Sequence, residues 1–550
     1  MRQPSIHRVR IAAIAAAVAS LSVSAYGQTG HSLSAAVQAR AAQAAPALET
    51  VRRLSIDEAQ KLALEQNLGI QIQRFDPQIQ DLGIAQARSF WSPQVSSTIS
   101  KRSQTQVATS SIAGSATSIT DGRFATGVNL NQTLPWGGSY SANWNSSRST
   151  TTNLFSTYSP QVASTVNFQY TQPLLRNFSV DSIRQQVAVS RKVRDLSDIQ
   201  LDSVIVQTMR NVKNAYWDLS YAINNLKAQE ESLKLSNQSL RDNQKRVEIG
   251  TMAPIDIVQA QAEVASNEER VIVAEAAIRR AQDNLRVLIL DPAAPDFWTT
   301  AFEPTDAAPF SEQAVDLDAA VRNALDKRTD LRQARNNLDR SDLDIRYLRN
   351  QILPDINAQA TYVSSGVGGL QLSPLSQADI LSGNFNRSVL NDRGFGSVLG
   401  DVFQGAFPDW TVGVQIAYPL GSSTAQANLA RAKLEHQQAQ AQFKNMEMQI
   451  ATQVRESARN VQTNQKRVAS ARASRELQER KLEAEEKKLA AGMSSSFFVF
   501  QAQRDLALAR TAEIQAISDY NKSLVDFEAV QLAPVTGSAG QVTIAGLANR

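Results

Sequence analysis

Arg246-Val247-Glu248-Ile249-Gly250-Thr251-Met252-Ala253-Pro254-Ile255-Asp256-Ile257-Val258-Gln259-Ala260-Gln261 reads as the end of one helix, a turn and the start of another. Gly250 suits the left-handed backbone position that a helix end often needs, because it carries no Cβ to clash there. No proline intervenes between Pro173 and Pro254, and Leu219, Leu226, Leu233, Leu240 and Val247 recur every seven residues. Beyond the turn, Ile257, Val264, Val271, Ile278 and Leu285 keep the same step. Sevenfold apolar recurrence is coiled-coil spacing. The stretch therefore predicts a long helical hairpin whose first arm, from about Asn177 to Ile249, spans on the order of 100 Å.

The same text appears twice. Lys488-Leu489-Ala490-Ala491-Gly492 through Gln501-Ala502-Gln503 repeats the tip at an offset of 242, with Gly492 on Gly250. No proline lies between Pro419 and Pro534, and Val461, Val468, Leu482, Leu489, then Val499, Leu506, Tyr520 and Phe527 hold the heptad. Arg475 and Glu513 break it, which predicts a helix facing water or another chain at those points. Earlier in each copy the offset is 261: Ile56-Asp57 falls on Leu317-Asp318, Ala63-Leu64 on Ala324-Leu325, and Pro93-Gln94-Val95 on Pro354-Asp355-Ile356. At those prolines a helical stretch stops and an extended one begins. The chain is thus an internal duplication: a first repeat over 51–290, a proline-rich connector over 291–310 and a second repeat over 311–533, with a weakly ordered tail over 534–550.

Between the helical parts lie alternating strands. Val166, Phe168 and Tyr170 alternate with Asn167, Gln169 and Thr171, and Val412, Val414, Ile416 and Tyr418 with Gly413, Gln415 and Ala417. One face is apolar and the other can line water. Two strands per copy give about four membrane strands per protomer, too few to close a barrel, for which about eight is the minimum. Closure then requires several chains, and three would give about twelve strands with no free edge in lipid. Val128 to Leu134 and Tyr140 to Trp144, joined at Pro135-Trp136-Gly137-Gly138, form an additional hairpin that either extends an outer loop or enlarges the barrel.

Composition narrows the function. The 56 Lys and Arg nearly balance the 52 Asp and Glu, so charge gives no argument for a nucleic-acid partner. The absence of cysteine excludes disulfides, thiolate metal sites and a lipidated N-terminal Cys. Of the three histidines only His436 falls in the folded body. No nucleotide-binding glycine loop or metal-ligand spacing is present, so no catalytic residue, cofactor or metal is expected and the protein is read as no enzyme. Arg8 and Arg10, the apolar stretch Ile11 to Val23 and the end Val23-Ser24-Ala25 read as a secretory signal peptide over 1–25, followed by a low-complexity linker over 26–50. No later apolar run is long enough for a transmembrane helix, so membrane insertion would be as a barrel.

The duplicated plan and the two tips resemble the TolC family of outer-membrane efflux proteins, over roughly Leu54 to Ala533. The resemblance implies a mixed α and β fold: a long α-helical coiled-coil barrel joined to a transmembrane β-barrel, assembled from a homotrimer in the outer membrane and reaching into the periplasm. It implies passage of small molecules or exported proteins, handed over by an inner-membrane transporter through a periplasmic adaptor, in efflux or type I secretion. It places adaptor contact at Gly250, Gly492, Arg246 and Lys488, and the periplasmic aperture at Asp256, Gln259, Phe498 and Gln501. The family's acidic residues six and nine positions past the second tip glycine are here Phe498 and Gln501, and the basic residue two past it is Ser494. Phe497-Phe498-Val499-Phe500 suggests instead an apolar constriction that closes by dewetting, or aromatics packed in the helical seam. The competing class is an exported coiled-coil structural or adaptor protein without a pore.

Overall fold

The computed structural model describes residues 50–107, 118–306, 310, 315–382, 385–421 and 423–534. The expected signal peptide, and nearly all of the linker and the tail, lie outside the described residues. The long helices are equal in the two copies. α4 (Ser182–Glu248) and α10 (Thr424–Ala490) each hold 67 residues, about 100 Å at 1.5 Å per residue. They return as α5 (Ile255–Ile289) and α11 (Ser496–Val530), each of 35 residues. α4 starts on Asp181, whose side chain accepts from the Arg184 N–H, and α10 on a capping box between Ser423 and Gln426. Such caps satisfy amides that the first turn leaves unpaired.

Shorter helices complete each copy. α1 (Ile56–Gln66), α2 (Leu68–Gln73) and α3 (Phe75–Ser89) pack on α4, while α6 (Leu317–Lys327) and α7 (Thr329–Gln351) pack on α10. The duplication is visible in the cores. Ala59 and Ala63 are buried beside Val212 and Leu219, and their counterparts Ala320 and Ala324 are buried beside Ile450 and Val454. Tyr216, fully buried, donates to the Leu54 carbonyl at 3.1 Å and to Asp306 Oδ2 at 2.7 Å. Asp306 also accepts from the Ile56 N–H, so one side chain ties the first repeat to the connector. There β1 (Thr50–Leu54) pairs with β6 (Thr300–Pro304).

Above the helices stands an antiparallel sheet. Its order is β2 (Gln94–Val107), β3 (Ser118–Thr133), β4 (Ser139–Thr151), β5 (Tyr158–Pro173) and β7 (Asp355–Leu372), with β8 (Val389–Arg393) and β9 (Pro408–Ala417) both on β7. The additional hairpin therefore joins the wall, paired along its length with β2 and β5. This corrects the strand count: six long strands per protomer, not about four. The helix-side turn explains why. Gly137, at φ +94, lies where a Cβ would meet Arg184 at 2.7 Å and the Asn177 carbonyl at 2.9 Å. Arg184 in turn donates to the Asn177 and Phe178 carbonyls, so the turn is seated in the junction between β5 and α4.

The two heptad breaks are partners and border an open cleft. Arg475 and Glu513 meet each other across the second hairpin, and Arg475 also reaches Glu479 at 2.8 Å. Glu513 accepts from Arg472 as well. A long cation opposite a carboxylate keeps the seam closed where two apolar residues would otherwise meet.

Candidate functional site

Two surfaces carry the functional features: the strand wall and the hairpin tips. In the wall, residues opposite one another across the ladder share a face. One row reads Val95, Leu130, Ala142, Phe168, Tyr362 and Trp410 from β2 to β9. Trp410, Val412, Val414 and Ile416 are all more than 60 % exposed, as are Val95 and Ile99. The next row, on the other face, reads Asn131, Ser141, Gln169, Thr361 and Thr411, and the one above it contains Asn129, Asn143 and Asn167. The wall is thus apolar on one side and lined by amides and hydroxyls on the other. On β9 the apolar side runs from Trp410 through Val412, Val414 and Ile416 to Tyr418 just past its end, eight residues or roughly 26 Å along the strand. Tilted by about 40°, that is some 20 Å of height, close to the roughly 25 Å apolar band of an outer-membrane barrel. Among the described residues no helix is long and apolar enough to cross a membrane.

The polar face carries cations near the far end. Arg102 of β2 and Arg123 of β3 are direct ladder partners on that face, a like-charge pair that costs stability. On the apolar face one row away, Lys101 and Arg148 flank Phe124.

At the other end of the molecule the tips close in the same geometry. Gly250 has φ +76 and Gly492 φ +74. Thr251 N–H donates to the Arg246 carbonyl and Gly250 N–H to that of Val247; Met493 and Gly492 do the same to Lys488 and Leu489. This double bond pattern around a left-handed residue is the Schellman motif, and it gives Arg246 and Lys488 a backbone role. Gly250, Gly492 and Lys488 are exposed and Arg246 half-buried.

The four aperture candidates fall on the first turns of the returning helices. Asp256 accepts from Ser496 Oγ at 2.6 Å, linking the two tips of one protomer. Gln259 and Gln501 are exposed. Val499 is buried in the seam with Leu482, Ala502 and Leu506, whereas Phe498 points out of it, 54 % exposed and edge-on to Phe497. Ser494, where a basic residue was sought, donates to Glu485 at 2.9 Å. Lys488 donates to the same carboxylate at 2.6 Å and, as the larger cause, holds it below its ordinary range. Sequence reasoning missed Ser496, which lies 240 residues from Asp256 and carries no motif of its own.

An amphiphilic strand wall with two open edges, set on paired helical rods, defines a channel subunit that lines water on one side and meets lipid on the other. The sequence matches the outer membrane efflux protein family over residues 138–289 and 320–530, one segment in each copy. The chain belongs to that family, and it is an outer-membrane channel subunit, as the resemblance implied. Among solved structures it is similar to the Campylobacter jejuni CmeC outer membrane channel, with a TM-score of 0.59 and 14 % identity over 87 % of this chain and 85 % of that one. VceC from Vibrio cholerae gives 0.59 and 15 %, covering 86 % and 96 %. The open state of the Neisseria gonorrhoeae MtrE outer membrane channel gives 0.57 and 16 %, covering 87 % and 89 %. At such identities these likenesses speak for the fold. No curated protein matches significantly.

Proposed function

We propose that three copies close into one conduit through the outer membrane and periplasm, acting with a periplasmic adaptor and an inner-membrane transporter to pass small molecules or exported proteins. The observation that carries this is the pair of open edges. β9 is exposed at every residue and β2 at nearly every one, and lipid admits no unpaired sheet edge. Six strands are an even number, so β9 of one protomer meets β2 of the next antiparallel, as every other pair in the sheet is. Three protomers then give about eighteen strands and a backbone diameter of about 36 Å, against about 24 Å for twelve, at a 4.8 Å strand spacing and 40° tilt.

In this reading Gly250, Gly492, Arg246 and Lys488 form the surface that meets the adaptor. Asp256, Gln259, Phe498 and Gln501 border the periplasmic aperture, with the exposed Phe498 supplying an apolar collar. Native mass measurement in detergent, joined to single-channel recording in planar bilayers, tests the proposal. A trimer with stable ion conduction is expected. A monomer that conducts nothing would overturn it.

A further inference from the structure

Beyond the short α8 (Gln377–Ser382), and between β8 and β9, the chain folds α9 (Phe395–Gln404) back onto the sheet. Its seat is a trough of small residues. A Cβ on Gly366 would lie 2.5 Å from the Val398 carbonyl and 3.2 Å from Val402 Cγ2, and one on Gly368 would lie 2.5 Å from Val398 Cγ2. Ser364 Oγ donates to the Val402 carbonyl at 2.6 Å. Ser364 and Ser164, the ladder partner of Gly366, are buried beneath the helix, and Val398 and Val402 are buried on its underside. Arg393 pairs with Asp401 at 2.7 Å, and Gly405 ends the helix in the left-handed region. This is a built seat rather than a loop resting on a surface.

The face it occupies is decisive. Ser364, Gly366 and Gly368 stand two, four and six residues along β7 from Tyr362 and so share its face, and Tyr362 opposes Trp410; α9 therefore lies on the apolar side of the wall, the side assigned to lipid above. The helix is itself amphipathic. At 100° per residue, Phe395, Leu399 and Phe403 follow one flank, while Ser397, Asp401 and Gln404 follow the other. Phe395 and Phe403 remain 45 % and 75 % exposed. The apolar flank runs on through exposed Phe407 into Trp410, Val412, Val414 and Ile416. The polar flank is turned to Arg393, which pairs with Gly369 farther up β7. The helix sits at the rung of Ser146 and Ser164, one rung below the outward row of Lys101, Phe124, Arg148 and Val162. Cations two rungs above the last apolar row, Val128, Trp144 and Val166, mark the level of anionic headgroups.

We infer that α9 is an interfacial membrane helix: it lies on the outer surface of the barrel in the outer leaflet, its Phe395, Leu399 and Phe403 flank in acyl chains and its Ser397, Asp401 and Gln404 flank among headgroups. The second repeat, which supplies only two long strands to the wall, thereby covers additional lipid-facing area with a helix, whose backbone bonds are satisfied internally as lipid demands. The inference rests on the apolar face of the wall meeting lipid.

The chain has no cysteine, so single spin labels report cleanly. Nitroxides at Phe403→Cys and Leu399→Cys, at Ser397→Cys and Gln404→Cys, at Trp410→Cys on the wall and at Thr157→Cys in the turn after β4 are compared in trimers reconstituted into vesicles of zwitterionic and anionic phospholipid. Accessibility to oxygen is measured against accessibility to a water-soluble nickel chelate. Labels at 403 and 399 are expected to match 410, with oxygen dominant, and those at 397 and 404 to approach 157. Nickel access at 403 and 399 equal to that at 157, with 410 still in lipid, would overturn the helix assignment alone. Shielding of 403 from both reagents would overturn it in favour of cover by a neighbouring protomer. Nickel access at 410 itself would remove the lipid-facing wall and the inference together.

Discussion

Valine in place of Gly250 and Gly492 isolates one energetic effect. Both glycines hold φ near +75, and neither has any atom within 4 Å of where a Cβ would stand. No clash enters, and the cost is the left-handed backbone alone: about 1–2 kcal/mol for an L-residue, more for a β-branched one, and little for asparagine. The amides of Thr251 and Met493 close the outer bonds of the two motifs, at 2.9 Å each. A tip end opens locally rather than with the whole hairpin, so a loss of that size should raise its opening roughly 5- to 30-fold. Hydrogen exchange followed by mass spectrometry on the purified trimer should show that acceleration at 246–256 in Gly250→Val and at 488–498 in Gly492→Val. The heptad amides two turns away should stay unchanged, and Gly250→Asn should resemble the parent. In cells, the valine pair should lose drug resistance and adaptor crosslinking while the asparagine pair keeps both. Equal exchange in valine and parent proteins, or equal damage from asparagine and valine, would refute the argument.

Other perturbations follow from the same geometry. Ser496→Ala removes the 2.6 Å bond to Asp256 and should raise single-channel conductance by loosening the tips; an unchanged trace would deny that bond a gating role. Tyr216→Phe takes one of two donors from the part-buried Asp306 carboxylate, the Ile56 N–H remaining, at a cost of about 1–3 kcal/mol, readable as an earlier thermal transition. Burial is what pushes the Tyr216 hydroxyl up to about 12, so the parent should keep this bond across the whole neutral range. Serine at both Arg102 and Arg123 removes paired cations from the polar face and should shift the reversal potential under a salt gradient toward cations; no shift would place that row outside the conducting path. Glu485 is held below its ordinary range, first by Lys488 and then by Ser494, so its contribution is complete above that range and is lost as pH falls through the lowered value. Protection factors around Ser494 should therefore hold through neutral pH and decline only in acid, below the ordinary carboxylate range. A decline at neutral pH would contradict this.

Much of this architecture was legible in the residues. Heptads and proline-free runs mark helices because a coiled coil repeats every turn pair, and the two tips are local motifs that any chain ending a helix in the left-handed region must write. The strand number was not legible. Val128 to Leu134 and Tyr140 to Trp144 show the right alternation, but their place in the wall depends on pairing with β2 and β5 and on Gly137 seating against Arg184, which no local pattern records. Arg475 and Glu513 looked like defects because each was read along its own helix, and their meaning lies in the facing one. In the Phe497-Phe498-Val499-Phe500 run the structure divides the residues, Val499 filling the seam and Phe498 facing out of it, a division that four consecutive apolar residues do not announce. α9 was hidden in a stretch rich in Gly, Ser and Asn, since its apolar residues are few and its seat is made by glycines of a distant strand.

The inserted hairpin also settles a matter of circumference. At the level where strands meet rods, α3, α4, α7 and α10 stand side by side, and at about 9–10 Å each they subtend about 38 Å of arc. Four tilted strands would cover only about 25 Å of it, and six cover about 38 Å. β3 and β4 enter between the strands that continue α3 and α4, so in the proposed trimer the upper ring would have the girth of the lower one and the bore would pass from one wall to the other without a shoulder.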